Sequence, residues 1–432
     1  MPSTEPQIHP RAASRAAFAF ILITICFDFL AFGIIAPILP NLIIQFEGGN
    51  IARAATITGY FAFIWATMQF VFSPLLGAWS DRFGRRPVIL LSCFGLGFDY
   101  ILMAVSPTLA WLFLGRVISG ITTSNISTAF AYITDVTPPE QRAKKFGWLS
   151  AAFGLGFVIG PFVGGFLGNH NLRLPFWVAA GLSLANAVYG FFILPESLPP
   201  ERRAKSAWHM ANPLGSLSLL RSHPELAGLS VVCTLYYLAH QALPSVFVLY
   251  GDYRYSWTPK QVGFVLAAVG VGIAVVTGGL VSPLVKKLGE RRVLIMGLTF
   301  GVLAYLGFGA SPTGSLFVAS IPLIALWSVA GPTMQSVMSR CVDPTSQGKL
   351  QGAINSIRSL TGMFGPLMFT QVFATAISPR IAHHIPGAPF YLAALLMAGC
   401  AAIAAYVTRT DAPPSHEPPA AAPTPDALVG VE

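Results

Sequence analysis

The stretch DRFGRRPVIL (residues 81–90) has a counterpart further along the chain, KKLGERRVLI (286–295), at a spacing of 205 residues. Laid over each other, the two match Gly84 with Gly289. The same offset carries Pro139 onto Pro344, Lys144 onto Lys349, Gly147 onto Gly352, and Gly160-Pro161 onto Gly365-Pro366, without gaps. Coincidences at one fixed spacing mark a duplicated unit. Parallel repeats of this kind build transporters that rock two halves around a site at the membrane midplane.

Composition says what the unit is made of. Hydrophobic residues make up 54% of the 432 and charged residues 10%, against ~25% charge in soluble domains. Twelve apolar runs recur near 16–38, 55–78, 87–106, 109–133, 145–168, 174–194, 224–250, 260–284, 292–310, 315–339, 350–376 and 388–408. A chain in lipid must bond every backbone group internally, so runs of this length read as helices. The expected fold class is an all-α membrane protein with twelve transmembrane helices in two pseudo-symmetric six-helix bundles. The segment 195–223 is the longest polar stretch between spans and separates the bundles. The expected divisions are a terminal segment 1–15, a first bundle 16–194, the connection 195–223, a second bundle 224–408, and a Pro- and Ala-rich disordered tail 409–432.

Arg11 and Arg15 precede the first span and imitate a secretory leader. The apolar run exceeds a leader's ~7–15 residues and has no small-x-small cleavage site, so it reads as a retained helix. The five cysteines, Cys26, Cys93, Cys233, Cys341 and Cys400, are scattered singly, with no disulfide or zinc spacing. No phosphate loop, metal cluster or nucleophile triad appears, so an enzyme is not expected, nor a cofactor.

The net charge of +9 would suit a nucleic-acid partner, but its distribution argues otherwise. Nineteen of the 26 Lys and Arg residues fall on the side of the membrane that holds both termini. Five fall on the other, and Arg116 and Arg358 lie inside spans. The positive-inside rule then puts both termini in the cytoplasm of an inner or plasma membrane, and no nucleic acid is needed.

GAWSDRFGRRP (77–87) joins the second and third spans. It resembles the loop motif of the major facilitator superfamily, which implies the major facilitator fold and a cytoplasmic gate formed by Gly77, Asp81, Arg82, Gly84, Arg85 and Arg86. Asp81 can accept hydrogen bonds near a helix N-terminus, and the arginines can hold an acidic partner across the interface. The plainer reading is ordinary positive-inside charge. GWLSAAFGLGFVIGPFVGG (147–165) fits G-x8-G-x3-G-P-x2-G-G in span five, with Gly147, Gly156, Gly160, Pro161, Gly164 and Gly165. It resembles the helix motif of the superfamily's antiporter branch. Its small-xxx-small face suits close helix approach, and Pro161 bends the helix; tight packing is the plainer reading.

Four charged residues, Asp28, Asp99, Arg116 and Arg358, stand inside apolar spans, where charge costs several kcal/mol. Asp28, in ICFDFLAFG, lies ~18 Å along the first span at ~1.5 Å per residue. Asp99, in GFDYILM, is the second deep acid; a structural carboxylate held by tyrosine or backbone is its plainer reading. Arg116, in LGRVISG, serves coupling or snorkels to the span end. Asp135, with Glu140 and Arg142, reads as a gating cluster. Arg358, in AINSIRSLTG, either snorkels or presents charge to the central cavity. His240 is a packing residue or a proton site, since its ordinary pKa lies near working pH.

Residues 20–170 resemble the tetracycline-efflux branch of the superfamily, through SDRFGRRPVILLSCFGLGFDYILMAVS and KKFGWLSAAFGLGFVIGPFVGGF. Weaker echoes appear at Gln241, SWTPKQVGF and LQGAINS. The resemblance implies that Asp28 and Asp99 belong to the substrate and proton pathway. The sequence departs from that branch in its second half. The ninth span, RVLIMGLTFGVLAYLGFGA, has no acid; the eighth has no His; the eleventh carries Arg358 where relatives are usually uncharged.

The expected function is a proton-coupled antiporter exporting an amphipathic drug-like compound. Substrate and proton would compete for Asp28, with Asp99 in support. Phe29, Phe32, Phe61, Phe63, Phe247 and Trp327 are candidates for an apolar pocket, with lipid contact or packing the plainer reading of each, and Gln241 and Gln335 are candidates for its orienting hydrogen bonds. The alternatives are a carrier of an endogenous metabolite or organic anion, favoured by Arg358 and the missing acid, and a non-transporting sensor. The expected partners are a small molecule, protons and the bilayer, with the protein a monomer.

Overall fold

The structure, a computed structural model, describes residues 10–123, 126–204, 220, 224–343, 346–379 and 384–409. Most of the expected terminal segment, of the connection 195–223 and of the tail 409–432 lies outside the described residues. Every regular element among those described is helical. The first half holds α1 (Pro10–Ile35), α2 (Leu39–Phe46), α3 (Ile51–Phe83), α4 (Arg85–Val105), α5 (Leu109–Thr122), α6 (Ile126–Val136), α7 (Pro139–Gly168) and α8 (Leu174–Ile193). The second holds α9 (Pro224–His240), α10 (Ala242–Tyr255), α11 (Pro259–Gly279), α12 (Val281–Leu288), α13 (Glu290–Ala310), α14 (Gly314–Ala319), α15 (Ile321–Trp327), α16 (Ala330–Arg340), α17 (Gln347–Ala376) and α18 (Ala388–Val407).

Ten helical stretches among the described residues are long and apolar enough to cross a bilayer. The other two expected spans behave differently for visible reasons. The run 109–133 corresponds to α5 and α6, which flank two residues outside the description. The run 350–376 is the 30-residue α17, which carries Gln351, Asn355, Arg358, Ser359 and Gln371 along its length. Such polarity fits a helix facing a cavity instead of lipid. Phe98, Phe192, Leu395 and Tyr406 stand exposed on the outer faces, where lipid supplies the apolar contact that water cannot.

Local chemistry sets the boundaries. Pro37 and Pro40 lie beyond the end of α1, and Pro40 sits in the first turn of α2, where its missing N–H costs nothing. Asn50 opens α3 by accepting from the Arg53 N–H at 3.0 Å. Thr258 and Gln261 form a reciprocal capping box at the start of α11. Gly84 (φ +106°) and Gly289 (φ +80°) separate α3 from α4 and α12 from α13 in a region that non-glycine residues rarely enter. Similar backbone conformations 205 residues apart are the structural trace of the duplication.

Within the first half, α1 packs on α7 and α8, α4 on α5 and α8, and α3 on α5. Within the second, α13 packs on α15, α16 and α18, and α9 on α17 and α18. The halves meet along two seams, α3 with α17 and α7 with α11. The repeat offset maps α3 onto α11 and α7 onto α17, so one seam is the pseudo-symmetry image of the other.

The seams are tight at the end opposite the start of α1. There Gly165 lies against Pro259 and Gly263, and Gly59 against Thr370 and Leu367. Gln371 Nε2 donates across to the Thr56 carbonyl at 3.5 Å. Toward the end where α1 begins, Gly154, Gly278 and Gly279 face open space. The molecule is closed at one end of the interface and open at the other.

Candidate functional site

Between the halves lies a cavity of about 1240 Å³. Its first-half wall is a stripe on α3 (Thr58, Ala62, Trp65, Gln69, Ser73) with Phe32, Ile35, Tyr100 and Arg116. Its second-half wall is Tyr236, Tyr237, His240 and Gln241, Gln335 from α16, and Asn355, Arg358, Ser359 and Gly362 from α17. Each stripe recurs every three to four residues, so one helix face points inward. Phe32 and Trp65 stack at 5.6 Å between ring centres. The lining mixes aromatic faces with single polar groups, as sites for small molecules do.

Asp99 and Arg116 come together in the first-half wall. Asp99 on α4 and Arg116 on α5 are both buried. Each lies within reach of the other's charge and Ser119 sits beside the carboxylate, but no direct ion pair joins them, and neither Asp99 oxygen has a hydrogen-bond partner among the described residues. Arg116 also donates to the Ser119 hydroxyl at 2.9 Å. Gly115 makes room for the pair, because a Cβ there would press on Asp99 Oδ1 and Met103. Arg116 is buried in the wall, so the snorkelling alternative is not what the structure has.

Asp28 is half-buried on α1, one turn from Phe32 toward the chain's start, and is not among the side chains lining the cavity. Its charge acts on Cys93 and Tyr100 of α4, and Tyr100 in turn feels Asp99. On the same face of α1, Thr24 donates to Asn186 Oδ1 at 3.2 Å, and Asn186 Nδ2 points to Cys93 Sγ at 3.6 Å. The two deep acids therefore share one polar interior, with Tyr100 between it and the cavity. Asn186 and Tyr100 were not singled out from the sequence; the mark of Asn186 was a lone amide in an otherwise apolar span.

In the second-half wall Arg358 lies over the ring of Tyr237, its guanidinium carbon 5.3 Å from the ring centre. His240 packs against Trp327 at 5.4 Å between ring centres and shares the wall with Arg358. Gln335 is within hydrogen-bonding reach of Tyr237. Gln241 lies along the glycine face of α17, against Gly365. His240, Gln241, Gln335 and Arg358, four candidates from three separate stretches of the chain, thus share one surface.

The aromatic candidates divide. Phe32 lines the cavity. Phe29 packs on Phe153, Phe61 on Phe113, Phe63 on Phe364, and Phe247 on Trp257 and Phe317. Trp327 stands behind His240 and not in the lining. Trp65, Tyr236 and Tyr237 take the places expected of them. The inward stripe on α3 was the legible signal, since Trp65, Gln69 and Ser73 repeat at helical spacing among apolar residues.

The loop 77–87 forms its ionic contacts within its own half. Arg85 binds Asp81, reaches Asp135 Oδ2 at 3.2 Å, and donates to the Ser80 hydroxyl at 2.6 Å. Arg86 donates to the Phe191 carbonyl at 2.6 Å, and Arg82 lies over Phe83. The arginines thus have no acid of the second half as partner among the described residues, because the interface is open at this end. Gly77 has no neighbour that a Cβ would meet, so close approach does not explain it here. Asp135, Glu140 and Arg142 do not form one cluster. Asp135 belongs to Arg85, whereas Arg142 caps α6 by donating to the carbonyls of Thr134 and Thr137. Glu140 is exposed in the first turn of α7. Glu196 is the acid the sequence reading missed. It accepts from the backbone N–H groups of Arg85 at 2.9 Å and Arg86 at 3.3 Å, capping α4 where the helix dipole favours negative charge.

On α7, Gly156, Gly160 and Gly164 form one ridge against Leu30, Gly33 and Ile34 of α1. Gly165 turns to the other side, against α11 of the second half, and Gly263 there abuts the Pro161 carbonyl. Gly147 has open space and takes no part in this packing. The motif helix is thus wedged between its own half and the opposite half.

This architecture has known relatives. The family description "Major Facilitator Superfamily" matches residues 21–366. The chain is 36% identical over 383 residues to "Tetracycline resistance protein, class C" of Escherichia coli, covering 88% of this chain and 96% of that protein. It is 28% identical over 359 residues to "Multidrug resistance protein 2" of Bacillus subtilis (strain 168), covering 82% and 88%. Among solved structures it resembles a bacterial homologue of the human lysosomal transporter Spinster in an inward-facing, unoccupied conformation. The TM-score is 0.71 at 16% identity, over 94% of this chain and 98% of that one. It also resembles the human organic anion transporter MFSD10 (TETRAN), with a TM-score of 0.64 at 24% identity, over 90% and 99%. The chain is a multi-pass membrane protein and belongs to the Major Facilitator Superfamily, in its tetracycline-efflux-like branch.

Proposed function

We propose that the chain is a proton-coupled antiporter that exports an amphipathic, aromatic drug-like compound. It would do so as a monomer in an inner or plasma membrane with both termini cytoplasmic. The observation that carries this reading is the buried Asp99–Arg116 pair directly behind a cavity of drug size. A buried carboxylate without a direct partner, within the field of a cavity-lining guanidinium, can take up and release a proton, and that change alters the wall that the substrate meets. The names of the tetracycline and multidrug resistance relatives support the substrate class, and the excess of basic residues at the terminus-bearing end supports the orientation.

In this mechanism the cavity opens to the cytoplasm and takes up substrate between Phe32, Trp65 and Tyr237. Rocking about the α3–α17 and α7–α11 seams would open it to the outside. Asp28 and Asp99 would load protons there and release them to the cytoplasm on return, with Arg116 coupling the two events. His240, Gln241 and Gln335 would orient the substrate. The loop from Gly77 to Arg86, with Asp135, would latch the cytoplasmic end in the other state, and the α7 glycines would let the helices slide.

The test is resistance of expressing cells to a compound panel that includes tetracyclines, with and without a protonophore, followed by uptake into everted vesicles. Protonophore-sensitive export that Asp28→Asn and Asp99→Asn abolish is the expected result. Full proton-driven export by both variants would rule out these carboxylates as the coupling sites.

A further inference from the structure

The charges around the cavity do not balance. The lining contains two guanidiniums, Arg116 and Arg358, and no Asp or Glu side chain among the described residues. Arg116 is buried beside Asp99, so its charge is answered within the wall. Arg358 is different. It is exposed to the cavity, and none of the ion pairs among the described residues includes it. What orients it is the ring of Tyr237, which occupies one face of the guanidinium and leaves its N–H edges available. Gly362, one turn further along α17, adds space, since a Cβ there would meet only Gln241 Nε2, at 3.9 Å.

We infer that Arg358 is an anion subsite of the cavity and that the substrate is an aromatic amphipath bearing an acidic group, such as a carboxylate, sulfonate or acidic enol. This rests on reading the cavity as the transport site. A guanidinium offers a planar fork of donors that matches a carboxylate or sulfonate, which an ammonium or amide does not. The acidic group would lie against Arg358 and Gln335. The apolar body would reach across to the stacked Phe32 and Trp65 on the opposite wall. A cationic compound of the same size would meet an uncompensated like charge, so the cavity rejects it as well as accepting the anion.

The test is binding to the purified full-length protein in lipid nanodiscs, with empty nanodiscs subtracted. Two fluorescent probes share one skeleton and differ by a single charged group: 1-anilinonaphthalene-8-sulfonate and the uncharged N-phenyl-1-naphthylamine. Arg358→Gln is expected to weaken sulfonate binding at least tenfold while changing the uncharged probe less than twofold, and Arg358→Lys to recover part of the loss. Equal loss of both probes in Arg358→Gln, or sulfonate binding that ignores the substitution, would overturn the inference. An unchanged elution profile and helical circular dichroism separate these outcomes from misfolding. Binding needs no proton gradient, so Arg358-dependent sulfonate binding without proton-driven export would keep the subsite and remove the antiporter reading. Export with charge-indifferent binding would do the reverse.

Discussion

Arg85 and Glu290 occupy equivalent places in the two halves and form ion pairs of opposite polarity. Arg85 binds Asp135 at 3.2 Å and Glu290 binds Arg340 at 2.7 Å. Asp135 and Arg340 are themselves 205 residues apart. Both pairs tie the first turn of a helix, α4 or α13, to the last turns of another, α6 or α16. The duplication kept the tie and exchanged its signs. The environments differ at the partners, with the Asp135 side chain 24% exposed and that of Arg340 72%. Losing Arg85 strands Asp81, Asp135 and the Ser80 hydroxyl together, at a cost of ~3 kcal/mol. Losing Glu290 breaks a pair worth less than ~1 kcal/mol. Thermal unfolding of purified Arg85→Gln and Glu290→Gln should show a clear drop in the first and little change in the second. Equal drops would mean that burial does not set the difference.

The two positive-φ glycines give a second contrast. Alanine at either position meets backbone strain of ~1–3 kcal/mol. At Gly84 the added Cβ also drives into the Glu196 carboxylate, whereas at Gly289 it meets nothing within 4 Å. Gly84→Ala should therefore destabilise more and displace the cap of α4. Comparable melting shifts for the two variants would show that the Glu196 contact carries no weight.

The α7 motif predicts a gradient along one helix. Gly160→Leu forces α7 from α1 where Gly33 touches it, an overpacking cost of ~1–3 kcal/mol or more. Gly147→Ala enters open space and adds helix propensity of ~1 kcal/mol. Yield and melting temperature should fall in the first variant and hold or rise in the second. A loss in Gly147→Ala would point to a contact made only in another state of the cycle.

The Asp99–Arg116 pair can be tested by a double-mutant cycle. Asp99→Asn alone leaves Arg116 buried without its counter-charge, at ~3–5 kcal/mol. Asp99→Asn combined with Arg116→Gln removes both charges and should recover most of that stability while leaving proton-driven export absent. If the double variant unfolds as readily as the single one, the two residues are not charge-coupled.

Much of the fold was legible because lipid imposes long apolar runs and Pro and Gly punctuate them. The run 292–310 became Glu290–Ala310, and 388–408 became Ala388–Val407. Where a run broke, the cause was local. The run 224–250 divides at Gln241 into α9 and α10, and 315–339 into three short helices around Ser320, Ser328 and Val329. The site was legible in its charges and not in its aromatics. A charge inside a span is conspicuous at any depth, whereas a Phe suits lipid, core and cavity equally. Hence Phe61 and Phe247, equally candidates for cavity and for packing, pack in the core, whereas Trp65 and Tyr237 line the cavity.

By itself the sequence determined the duplication, the helical content and the depth of the four intramembrane charged residues, since these depend only on spacing and on the cost of polarity in lipid. Only the tertiary structure decided which charges meet. It placed Asp99 beside Arg116, set Asp28 off the cavity lining, and laid Arg358 against Tyr237 without a counter-ion among the described residues. Those outcomes depend on how each helix is rotated about its axis and which helices share a seam. Both are fixed by side-chain packing between residues far apart in the chain.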